Sequence, residues 1–303
     1  MKSSLRALGL AALATVLVAT VIVRWRGVPS RAPDAVWPPG QEDCPLQAWY
    51  RGAIRPDSTC VPRILADTAF RWEHAESAHV SVHYLDSTSA AGDPRRHLAR
   101  AEAALADNLA LLGAAEYPRR IHLFYTATRE QYERVTGGPG AGFTVAWAQA
   151  VTLLAPVKEA DPAERHELMH MVSMNLWGVN PLPDYWLREG LAVFATEQCH
   201  PGAIDSTARA MLADGRAKPL RTYRESFFTP GVDNYPAYLL NGSFVKFLFE
   251  RGGRERLREL WAGGMSVVER VYGATAESLE DEWKRSLAEP PRSRVPGPSN
   301  CLR

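Results

Sequence analysis

The stretch that most limits what this chain can become is Asp161 to Val172, D-P-A-E-R-H-E-L-M-H-M-V. Asp161 is a good N-cap, Pro162 suits the first helical position, and Glu164 falls where a capping box places its acid, so the stretch reads as the start of a helix. On a helix, residues four apart lie one turn above the other on one face, and His166 and His170 can both aim a ring nitrogen at one metal ion. Glu167 stands beside the first histidine, where a carboxylate reaches a metal-bound water. The arrangement is H-E-x-x-H, in the helical context that it needs.

A catalytic zinc takes three protein ligands and keeps a fourth position for water. Downstream, Asp184 to Phe194 reads D-Y-W-L-R-E-G-L-A-V-F, a second helix with Glu189 inside an apolar run. Burying that carboxylate is costly unless a partner neutralises it, and a metal ion is such a partner. Glu189 is the expected third ligand, giving one Zn2+ per chain held by His166, His170 and Glu189.

H-E-x-x-H followed, after Met171 to Arg188, by a glutamate within W-L-x-E-G-L-A resembles the gluzincin zinc metallopeptidases, most closely the small peptidase-MA-like domains of bacteria. The resemblance covers residues 71–287 and includes the ending Tyr272-Gly273 through Leu279-Glu280-Asp281-Glu282-Trp283. It implies an α+β, zincin-like domain: a small mixed or antiparallel sheet, then a mostly helical half, with the metal in the cleft between them. It also implies an edge strand that accepts an extended peptide as an additional strand, here expected at Ala146 to Thr152. A tyrosine beyond the glutamate supplies the second oxyanion donor in aminopeptidase-like members. The stretch Tyr238-Leu239-Leu240-Asn241-Gly242-Ser243-Phe244 is similar, which makes Tyr238 the candidate, with Tyr235 and Tyr223 as alternatives. Two features depart from the family pattern. Val193 stands where some members carry an acid four residues after the glutamate, and the G-x-M-E-N motif that holds a free substrate amine is missing, so exopeptidase activity is not implied.

The N-terminus reads as a targeting element. Lys2 and Arg6 precede the uncharged run Ala7 to Val23, Arg24 and Arg26 follow it, and the run is long enough for a short membrane span. With no cleavage site close behind, an uncleaved anchor over residues 1–26 is favoured over a removed signal. Positive charges flank both ends and leave orientation open. All four cysteines, Cys44, Cys60, Cys199 and Cys301, follow this segment, and an even number in an exported chain points to disulfides. Three connectivities are open, with Cys44–Cys60 and Cys199–Cys301 preferred because the first pair closes a short loop. No C-x-x-C is present to suggest a thiolate metal site. An anchor, an extracytoplasmic location at the bacterial cell envelope and a peptide or protein substrate form one consistent reading.

Residues 27–65, rich in proline and arginine, read as a spacer, and residues 66–303 as the catalytic domain. A net charge of +1 without a basic stripe gives no ground for nucleic-acid binding. His79 to Leu85 alternates like a half-buried strand, Asp93, Pro94 and Gly113 delimit a helix, Ile121 to Tyr125 is a second strand, and Thr128 with Gln131 opens a short helix. Gly137 to Gly142 lacks the G-K-[ST] of a phosphate loop and reads as a turn. Phe143 to Leu154 alternates as one long strand leading into the metal helix. From Ala163 onward the periodicity is helical. His74, His79, His83, His97, His122 and His200 lack ligand spacing and read as structural or exposed. Three functions fit: a membrane-anchored zinc endopeptidase, a non-catalytic binding module on a peptidase fold, and a zinc amidase acting on a non-peptide substrate. An intact Glu167 favours an enzyme, because only catalysis demands that residue.

Overall fold

The computed structural model describes residues 60–155, 163–180, 184–197, 203–215, 217–226 and 235–288. These fall into two compact units divided after Asn180, each described here by itself. The N-terminal segment, Asp161, Pro162, Cys44, Cys199, His200 and Cys301 lie outside the described residues, and with them the expected anchor, helix cap and cysteine pairing. Among the described residues no helix is long and apolar enough to cross a membrane.

The first unit is built on a five-stranded mixed sheet in the order β1-β2-β3-β5-β4, comprising β1 (Glu73–Glu76), β2 (Val80–Tyr84), β3 (Ile121–Thr126), β4 (Gly142–Val145) and β5 (Ala150–Leu154). β2, β3 and β5 run parallel, and the two edge strands, β1 and β4, run antiparallel to their neighbours. β2 differs from the half-buried strand that alternation suggests. Val80, Ser81, Val82 and His83 are all buried, because β2 lies inside the sheet, where both faces are covered.

Phe143 to Leu154 is not one long strand. After Val145 the chain makes a turn of 3-10 helix at Ala146–Ala148 and passes through Gln149 at φ 56°, then returns as β5. Alternation in the sequence does not show the reversal, because a hairpin's two arms have the same period of two as a single strand; the reversal sits at Gln149, a non-glycine residue in the left-handed region that carries no obvious turn signal. Tyr117 donates to Gln149 Oε1 at 2.5 Å, and the Gln149 amide donates to the carbonyl of Ala146, so the turn is held by side chains. Ala146 to Thr152 is therefore not the edge: its first part is the turn and its second lies between β3 and β4. The edge on this side is β4.

One face of the sheet is covered by α1 (Cys60–Ala66) and α3 (Arg129–Thr136), packed as an apolar cluster of Cys60, Val61, Ile64, Phe124, Val135, Val145, Ala148 and Ala150. The boundary drawn between spacer and domain at residues 65 and 66 thus falls inside a helix that belongs to the core. Cys60 is fully buried and disulfide-bonded. The opposite face carries α2 (Pro94–Leu112) and α4 (Ala163–Leu176). Asp93 caps α2 by accepting from the Arg96 amide at 3.0 Å, Pro94 opens it, and Gly113 closes it at φ 74°, as the sequence signals require. Thr128 and Gln131 form the capping box of α3.

The second unit is helical throughout: α5 (Tyr185–Thr196), α6 (Ala203–Ala213), α7 (Leu220–Ser226), α8 (Tyr235–Gly263, broken at Gly253 where φ is 76°), α9 (Val268–Tyr272) and α10 (Ala276–Ala288). α5 lies against α8 at a distance that only glycine permits. A Cβ at Gly190 would stand 2.6 Å from Val245 Cγ2 and 2.8 Å from the Asn241 carbonyl oxygen, and one at Gly242 would overlap Val193. Lys246 on α8 bridges the buried Glu197 at 2.7 Å and the partly exposed Asp205 at 2.5 Å, and the buried Trp283 of α10 donates to Ser243 at 2.9 Å, so polar contacts tie the helices together.

Candidate metal centre

α4 is held rigidly by its neighbours before any ligand is considered. Glu164, buried in its first turn, faces His97 at 3.0 Å, accepts from the Tyr125 hydroxyl at 2.7 Å and pairs with Arg100 at 3.4 Å. One residue on, Arg165 pairs with Asp107 at 2.8 Å while its carbonyl accepts from Asn108 at 3.0 Å. α2 therefore fixes both the rotation and the axial position of the helix that presents the motif. At its far end, Asn175 donates to the Ala146 carbonyl at 3.1 Å, linking α4 to the hairpin turn.

His166 and His170 meet on one face of this helix, with their Nε2 atoms 3.1 Å apart, ring centroids 4.7 Å apart and ring planes at 87°. A second histidine pair in the same unit gives the comparison that interprets this geometry. His83 Nε2 and His122 Nδ1 are closer, at 2.9 Å, yet their centroids are farther apart, at 5.2 Å, and the rings are nearly parallel at 11°. Those values describe two rings in one plane, head to head across a shared proton. In the His166–His170 pair a longer nitrogen distance accompanies a shorter centroid distance and perpendicular rings, so the two lone pairs converge beside the line joining them. Convergent lone pairs are what a tetrahedral ion needs from two imidazoles.

Among the described residues, one group of histidine and carboxylate side chains has donor atoms close enough to hold a metal ion: His166, His170 and Glu189, all within 4.8 Å of one another. Two imidazoles and one carboxylate are a donor set that suits zinc. Glu167, also buried, is held by the sheet: Thr144 Oγ1 on β4 donates to its Oε2 at 2.7 Å.

Glu189 is buried on α5, and Tyr185, one turn earlier on the same face, donates to it. The Tyr185 hydroxyl is pushed well above the ordinary phenol range, first by burial and then by the charge of Glu189, by Tyr238 nearby and by its hydrogen bond to Glu189. Arg188 lies over the Tyr185 ring at 5.0 Å, and burial lowers its guanidinium somewhat from the usual value. Tyr238 is thus a neighbour of the Tyr185–Glu189 pair. The alternative Tyr223 is buried, with its hydroxyl accepting from the Lys218 amide at 2.9 Å, and the side chain of Tyr235 lies outside the described residues. Tyr185 was missed in the sequence. The signal was present, a tyrosine four residues before the glutamate, on the side opposite to the position where an orienting acid was sought at Val193.

The remaining described histidines serve the scaffold. His97 holds Glu164, His79 faces Glu102 at 2.9 Å, and His83 stacks on Phe124 at 4.7 Å with its pKa lowered to about 3 by burial and by the adjacent His122 and His74.

No family model matches the chain, and no curated protein does. Among solved structures the chain is similar to an M1 zinc metallopeptidase from Deinococcus radiodurans, with 19% identity and a TM-score of 0.46 over 73% of this chain and 53% of that one. The chain thus spans about half the length of that protein, and a likeness this distant carries no conclusion about activity.

Proposed function

We propose that this protein is a zinc-dependent metallopeptidase of the gluzincin type, cleaving within peptide chains, with His166, His170 and Glu189 as the metal ligands and Glu167 as the general base. The observation that carries the reading is the set of three donor atoms from His166, His170 and Glu189 within 4.8 Å of one another, the two histidines standing on a helix whose intervening Glu167 is buried and held by Thr144. A zinc ion held by His166, His170 and Glu189 would supply Lewis acidity and make the attacking water easier to deprotonate near neutral pH. The chain's own groups do the rest. Glu167 takes the proton of the attacking water and passes it to the leaving amine. Tyr238 donates to the oxygen that gains charge as the carbonyl is attacked. Tyr185 holds the Glu189 carboxylate by its hydrogen bond, the office of a residue that orients a ligand. β4, the last strand of the sheet on the α4 side, is where an extended peptide would add as a further strand, taking over the part first expected of Ala146 to Thr152.

The same reading makes residues 1–26 a membrane anchor and locates the enzyme outside the cytoplasm at the cell envelope. The disulfide at Cys60 supports an oxidising compartment.

The test is the metal content of the purified full-length chain beside Glu189→Ala and Glu167→Gln, with hydrolysis of a denatured fluorescein-labelled protein as the activity probe. One zinc per chain is expected in the parent, much weakened in Glu189→Ala and retained in Glu167→Gln, with hydrolysis lost in both variants. A metal-free parent purified without chelator overturns the reading and leaves a binding module. A zinc-loaded parent that cleaves only non-peptide amides redirects it to an amidase.

A further inference from the structure

Glu167 is gripped from one side by β4. Thr144 Oγ1 lies 2.7 Å from Glu167 Oε2 and 2.9 Å from the Glu167 main-chain oxygen. A hydroxyl has one proton to give, and the shorter contact to a charged acceptor takes it. Two residues earlier on the same face, Gly142 lies flush against the other carboxylate oxygen: a Cβ there would overlap Oε1 and stand 2.8 Å from Cδ and 2.9 Å from Cγ. Among the described residues, no other group hydrogen-bonds to this carboxylate. One oxygen is committed and the other is left with its lone pairs free.

That asymmetry matters because the terminal torsion of a glutamate is broad and roughly two-fold, so a carboxylate without a partner does not choose which oxygen it presents. A general base works only within hydrogen-bonding reach of the proton that it takes. We propose that Thr144 is the positioning residue for the base: it ties down Oε2 and thereby assigns Oε1 as the atom that accepts the proton of the attacking water. The inference rests on reading the site as a zinc hydrolase, and it adds a coupling. The strand offered to the substrate backbone is the strand that sets the base, so a displacement of β4 moves both together.

The experiment compares Thr144→Val, which keeps the shape and removes the donor, with Thr144→Ser, which keeps the donor, and with Thr144→Ala, which covers a valine variant that fails to fold. Two readouts are taken on the full-length chain: crystal structures of the metal-free proteins, and steady-state cleavage of internally quenched unstructured decapeptides by the zinc-loaded proteins. The carboxylate is expected to keep one orientation in the parent and in Thr144→Ser and to lose it in Thr144→Val and Thr144→Ala. Kcat in those last two is expected to fall about tenfold or more with KM within about twofold, as loss of a catalytic orientation does. Zinc stoichiometry should match the parent in every variant. An unchanged carboxylate in Thr144→Val or Thr144→Ala overturns the proposal, as does a serine variant as impaired as valine, or a loss confined to KM. If the parent proves to bind no zinc or cleave no peptide, the functional reading fails while the crystallographic comparison still decides the role of Thr144.

Discussion

The buried histidine pair of the sheet sets a measurable dependence of stability on pH. His83 has its pKa lowered from 6.5 to about 3, chiefly by burial, with His122 and His74 adding in the same direction. In the unfolded chain the ring takes a proton near 6.5; in the native chain it stays neutral far below that. Between these values the unfolded state binds more protons, so stability is complete above about pH 6.5 and is lost progressively as pH falls. At pH 5 the gap is about 1.5 units, or about 2 kcal/mol from this one side chain. Replacing His83 with Phe keeps a ring stacked on Phe124, now 4.7 Å from the histidine ring, and removes the titrating group. His122, half-buried, recovers its partner from water. Urea unfolding of parent and variant at pH 7.5 and at pH 5.0 measures the term as a difference of differences, in which the carboxylates common to both cancel. The parent should lose about 2 kcal/mol more than His83→Phe over that interval. If the two proteins lose the same stability within about 0.5 kcal/mol, His83 is not a buried neutral base and the in-plane proton bridge to His122 is wrong.

Two further outcomes are expected. Gly190→Ala should destabilise the helical unit by about 1–3 kcal/mol in thermal unfolding, because its methyl group meets Val245 and the Asn241 carbonyl and the close contact of α5 with α8 has to open; an unchanged melting temperature would contradict that contact. Tyr238→Phe should retain zinc while kcat falls by about 10²–10³. A variant that keeps its kcat removes Tyr238 from the oxyanion site and turns attention to Tyr185.

Much of the centre was legible in the sequence because its parts are local. Two histidines four apart, a glutamate between them and the capping residues of α2 and α3 each act within one or two turns of helix, where spacing along the chain dictates position in space. Glu189 was legible for a different reason: a carboxylate inside an apolar run has to be paired, whatever the fold. By contrast, the hairpin at Ala146–Gln149 was hidden, since two antiparallel arms and one straight strand share the same alternation, and the turn is stabilised by Tyr117 and Asn175, which are distant in sequence. The edge strand was misplaced with it. α1 was taken for spacer because seven residues contain too little periodicity to announce a helix, and its burial depends on Phe124, Val135 and Ala150 elsewhere in the chain.

What the sequence by itself determined is the chemistry on offer: which nitrogens and carboxylates can converge, and which helices present them. What only the tertiary structure decided is how those groups are held. Thr144 reaches Glu167 across 23 residues of chain, and His97 and Tyr125 reach Glu164 across 67 and 39. The physical reason is that a hydrogen bond orients a side chain through distance and angle alone, and both are properties of the folded sheet and helices with no trace in residue spacing.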